Sequence, residues 1–89
     1  MAEHLTGEVL HDELAVSLAR AMAAANEKAR AVGVEVSKSL ISITQRAVKD
    51  EAIWRINYGA QDYVGRRGGD LIVEVGAKDG LVKRILRGQ

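Results

Sequence analysis

A change of period at Gly33 constrains this chain more than any other feature. From about Gly7 to Val32, apolar residues recur at steps of three or four: Leu10, Leu14, Leu18, Met22, Ala25, Ala29 and Val32. That spacing draws a single stripe down a helix. The run from Ala21 to Ala25, broken only by Met22, adds high helix propensity. Thr6 is a candidate N-cap, and Glu8, Asp12 and Glu13 complement the positive end of the helix dipole. Lys28 and Arg30 suit the other end, and Gly33 tolerates the left-handed conformation that closes a helix. An alanine-rich surface of this kind lets a sheet or a second helix approach closely.

Beyond Gly33 the signals are those of strands. Residues 39–48 are rich in β-branched side chains, including Ile41, Ile43, Thr44 and Val48. Their alternation is imperfect, with Leu40 on one face and Ile41 and Ile43 on the other, which leaves room for a bulge. Lys49-Asp50-Glu51 reads as a polar turn. Residues 52–58 alternate cleanly, with Trp54, Ile56 and Tyr58 on one face and Arg55 and Asn57 on the other. Residues 59–70 hold four glycines and little periodicity, and they read as a long loop. Strands follow over 71–76 and 81–86, joined at Asp79-Gly80, the strongest hairpin signal in the chain. A three-residue turn with Gly80 as a bulge sets Glu74 opposite Arg84, whereas a two-residue turn sets Val75 opposite Arg84. The charge pair favours the first.

The expected fold is α+β: one long N-terminal helix packed on a four-stranded antiparallel meander sheet, in a single domain over 1–89. The 89 residues include no cysteine, so neither a disulfide nor a thiolate metal site reinforces so small a core. Good packing or oligomerisation is left to do so. There is no Phe, and Trp54, Tyr58 and Tyr63 are the only large rings.

Charge and hydropathy narrow the partners. The formal net charge is +1, with three basic and five acidic side chains before Val34 and ten basic and seven acidic from there on. This is too even for a nucleic-acid binder. No apolar run approaches the ~20 residues of a membrane helix, and the N-terminus lacks the pattern of a signal peptide. The expectation is a cytoplasmic protein that contacts neither nucleic acid nor membrane and carries no cofactor.

Trp54-Arg-Ile, then Gly68-Gly69, Ile72-Val-Glu-Val75, Lys78-Asp-Gly80, Val82 and Arg87-Gly88 together resemble small bacterial cystatin-like domains. Two groups share this look. One is the PepSY-type domain. The other is the immunity proteins built on a shortened nuclear-transport-factor-like fold. The resemblance covers roughly the last half of the chain, and its motifs are structural. It implies a curved sheet gripping a helix, and binding or inhibition of another protein rather than chemistry. Chains of this kind also occur as orphan proteins of mobile genetic elements.

Candidate contact residues are few. Trp54 and Tyr58 would line a ligand cleft or, more plainly, form core beneath the helix. Arg66 and Arg67, set among glycines, would offer anion donors or, more plainly, a solvated loop. Tyr63 belongs to that loop, and Arg84 to the exposed last strand. His4 and His11 do not make a metal site, because nothing completes the shell. Asp62 beside Tyr63 is a thin basis for catalysis. The leading expectation is a non-enzymatic interaction module. It would work by self-association as a homodimer, through an edge strand or a domain swap, or by inhibitor-like binding of a protein partner. A small-molecule binding protein, or an isomerase-like enzyme using the concave sheet face, is the alternative.

Overall fold

The structure, a computed structural model, describes residues 12–60 and 70–87. It contains helix α1 (Glu13–Ala31), a 3-10 turn (Val36–Lys38) and strands β1 (Ser39–Val48), β2 (Glu51–Ala60), β3 (Leu71–Gly76) and β4 (Val82–Arg87). The strands form one antiparallel sheet in the order β1-β2-β3-β4, with α1 across β2 and β3. The architecture is the helix on a four-stranded antiparallel sheet that the change of period implies.

Helix α1 begins at Glu13, and positions 7–11 of the expected helix lie outside the described residues. Asp12 is extended, with ψ 104°, and its carboxylate accepts from the Ala15 amide at 3.1 Å, so Asp12 is the N-cap. Thr6, the expected cap, lies outside the described residues. At the other end Gly33 has φ +89°. Its amide donates to the Arg30 carbonyl at 3.1 Å and the Val34 amide to the Ala29 carbonyl at 2.9 Å, the pair of bonds that defines a Schellman closure.

Alanine makes the innermost contact with the sheet, with Leu18 and Met22 half-buried beside it. Ala21, Ala25 and Ala29 are buried at a spacing of four, while Leu14 and Val32 are exposed. Opposite them lie Trp54, Ile56, Tyr58, Leu71, Val73 and Val75. Large side chains on the sheet and small ones on the helix fill the layer between them without strain. Ile56, Val73 and Val75 are the largest fully buried side chains, each stabilising by about 1.5–3 kcal/mol relative to exposure.

β1 and β2 pair over ten residues without interruption, from Ser39 opposite Ala60 to Val48 opposite Glu51, so the bulge that the sequence left room for does not occur. Its imperfect alternation has another cause: nothing from Leu40 to Val48 is buried, so neither face selects a pattern. The turn is the pair Lys49 and Asp50, with φ +51° and +65°, a left-handed two-residue hairpin. β3 and β4 do pair Glu74 with Arg84. The route differs from the expected three-residue turn. Residues 77–81 connect the strands, and the register shifts between Glu74 and Val75, so that Lys83 is the extra residue.

Candidate interaction surface

The two aromatic candidates sit under the helix. Trp54 and Tyr58 are 6% and 3% exposed. The Trp54 indole Nε1–H donates to Ser17 Oγ at 2.9 Å, and the Ser17 hydroxyl donates to the Ala77 carbonyl at 2.7 Å. The Tyr58 hydroxyl donates to Asn26 Oδ1 at 2.6 Å. Burial pushes the Tyr58 phenol up to about 12, an effect that the nearby Arg30 charge partly offsets. Both polar tips are therefore spent on α1, and the rings act as core. Tyr63, Arg66, Arg67, His4 and His11 lie outside the described residues. Among the described residues no group of three His, Cys, Asp or Glu could hold a metal, and no helix is long and apolar enough to cross a membrane.

Arg84 belongs to a cluster on the sheet face away from the helix. Its centre is Glu74 of β3, a carboxylate only 8% exposed. Arg46 of β1 approaches Glu74 Oε2 through Nη1 at 3.3 Å, Arg55 of β2 approaches the same oxygen at 3.8 Å, and Arg84 Nε lies 3.3 Å from Oε1. One carboxylate thus draws a guanidinium from each of the other three strands. Arg46 reaches it across β2, where Ile53 is buried on that same face. The pairing of Glu74 with Arg84 was legible from the hairpin. Arg55 was legible only as a residue on the face opposite Trp54, and nothing in the sequence linked Arg46 to either.

The two edges of the sheet differ sharply. β4 is six residues long, carries Lys83, Arg84 and Arg87, and is bent by its bulge. These features blunt an edge against further pairing. Lys83 lies 2.7 Å from Asp79 and 3.3 Å from Glu51, and Arg87 donates to the Val32 carbonyl at 3.3 Å.

β1 has none of these defences. It runs ten residues with no proline and no bulge, and its only charged side chain, Arg46, is drawn inward to Glu74. Leu40 is 51% exposed and Ile43 38%, with Ile41 and Val48 similar. Helix α1 packs mainly on β2 and β3, and no residue of β1 is buried beneath it. Among the described residues no strand pairs with its outer edge.

The register shows which backbone groups face outward. Ala47 stands opposite Ala52, yet the Ala52 carbonyl accepts from the Ala77 amide on the far side of β2 at 2.9 Å. Ala47 and Ala52 are therefore a non-hydrogen-bonded pair. By alternation the amides and carbonyls of Ser39, Ile41, Ile43, Gln45 and Ala47 point to the free edge.

Among known proteins, no family model, no curated protein and no solved structure matches the chain.

Proposed function

We propose that the chain is a protein-binding module that captures an extended segment of a partner along the outer edge of β1. The carrying observation is that edge: ten residues in unbroken register, with exposed apolar side chains on both faces (Ile41 and Ile43 on one, Leu40 and Val48 on the other) and its single arginine turned toward Glu74. Unpaired strand edges recruit strands, because backbone bonds supply affinity while alternate side chains supply selectivity. The resemblance to inhibitor-like cystatin domains favours the same class of function. It is favoured over a concave-face enzyme because α1 occupies that side of β2 and β3, and both ring hydroxyl and indole are already bonded to it.

The test is selection of binders from a displayed library of random ten-residue peptides, followed by amide hydrogen exchange. Bound peptides are expected to slow exchange at Ile41, Ile43, Gln45 and Ala47. Gln45→Pro, which removes an outward N–H and spares the ladder to β2, is expected to abolish capture. Binders that protect the helix or the β4 edge instead would overturn the reading.

A further inference from the structure

Resting on the strand-edge reading above, we infer that the partner on β1 is a second copy of the chain, joined antiparallel about a two-fold axis at Thr44 into a continuous eight-stranded sheet. Antiparallel pairing in one sheet requires that facing residues share a side of the sheet. The axis must therefore pass through a residue, not between two.

The sequence of β1 discriminates among the choices. Centred on Thr44, Leu40 faces Val48 of the second copy and Ile41 faces Ala47, so a large apolar side chain meets a smaller one in each case. Ile43 faces Gln45, and Ser42 faces Arg46, which stays free to hold its own Glu74. Centred on Ile43, Leu40 would face Arg46. Centred on Ser42, Lys38 would face Arg46, and centred on Arg46, that residue would face itself. Like charges directly opposite each other are destabilising.

The backbone agrees. Ile43 and Gln45 both direct their polar groups outward, so the Ile43–Gln45 pairs on either side of the axis are hydrogen-bonded, and Thr44 meets its copy in a non-hydrogen-bonded pair. The helices lie over β2 and β3, with β1 between them and the seam, and do not obstruct it. The dimer sets Leu40 beside Val48 and Ile41 beside Ala47 across the seam, and it pairs the edge that is undefended among the described residues.

The chain has no cysteine, so an introduced one reports cleanly. In a non-hydrogen-bonded antiparallel pair the Cα atoms are about 4.5 Å apart, within disulfide range. Under mild oxidation Thr44→Cys is expected to cross-link nearly completely as a dimer. Ser42→Cys, displaced by four residues from its copy, is expected to remain monomeric on denaturing gels. Light scattering of the unmodified chain is expected to give twice the chain mass, and Gln45→Pro to weaken association about tenfold or more, since symmetry removes two bonds at once. Cross-linking by Ile43→Cys with Thr44→Cys inert would overturn the register. A monomer at the highest soluble concentration would overturn the second copy as partner. If peptides still bound β1 in that case, the strand-edge reading would stand. If they did not, it would fall as well.

Discussion

Arg46 on β1 lies 3.3 Å from Glu74 on β3, so its side chain spans the width of β2. Arg55 and Arg84 reach the same carboxylate from the strands on either side of β3. Glu74 thus ties all four strands together at one point, and it also draws the single charged side chain of β1 in across β2.

Replacing Glu74 with Ala is expected to destabilise the protein by about 1–3 kcal/mol, the range for losing hydrogen bonds to a charged group when the partners can rehydrate. Urea denaturation measures it. All three arginines are partly exposed, so the gap between variant and parent should narrow in high salt. A gap unchanged by salt would mean that packing around Glu74, not charge, carries the effect.

Tyr58 sets a limit on alkaline stability. Its folded pKa of about 12 lies above the ordinary value of 10.0, so the folded state holds the phenol proton more tightly than the unfolded chain. The resulting stabilisation is complete below the unfolded pKa and is lost as pH rises through the window from 10.0 to about 12. Across that window the parent should lose stability relative to Tyr58→Phe, a comparison that cancels the lysines titrating alongside. Ultraviolet titration should show one phenol that ionises late in the parent and is missing from the variant.

The β1–β2 turn is not optimised. Lys49 and Asp50 both adopt positive φ, a conformation that disfavours side chains with a Cβ. Asn-Gly is the pair best suited to this hairpin. Lys49→Asn combined with Asp50→Gly is expected to raise stability by about 1 kcal/mol, seen as a higher urea midpoint at unchanged slope. A lower midpoint would show that the Lys49 or Asp50 side chain makes a stabilising contact.

Much of the fold was legible because it depends on local rules. The stripe through Met22 and Ala25, the glycine at position 33 and the clean alternation from Trp54 to Tyr58 each report a period that the backbone imposes. The cap at Asp12 was not legible in the stripe, because it acts through a side-chain bond that periodicity does not reveal. The extra residue falls at Lys83, which lies 2.7 Å from Asp79 and 3.3 Å from Glu51, and not at the expected Gly80. Of the candidate contacts, Trp54 and Tyr58 proved to be core, while Arg84 proved to share a carboxylate with arginines from two other strands.

The sequence by itself determined which segments are helix and which are strand, and that the strands follow one another as a meander. Periodicity and turn chemistry act over a few residues, and they suffice for that. Only the tertiary structure decided which strand the helix leaves bare. Three alanines seat α1 over β2 and β3, and Glu74 draws Arg46 inward. Both are relations between residues far apart in the chain. Together they turn β1, whose weak alternation looked like a flaw in the pattern, into the most exposed pairing edge of the sheet.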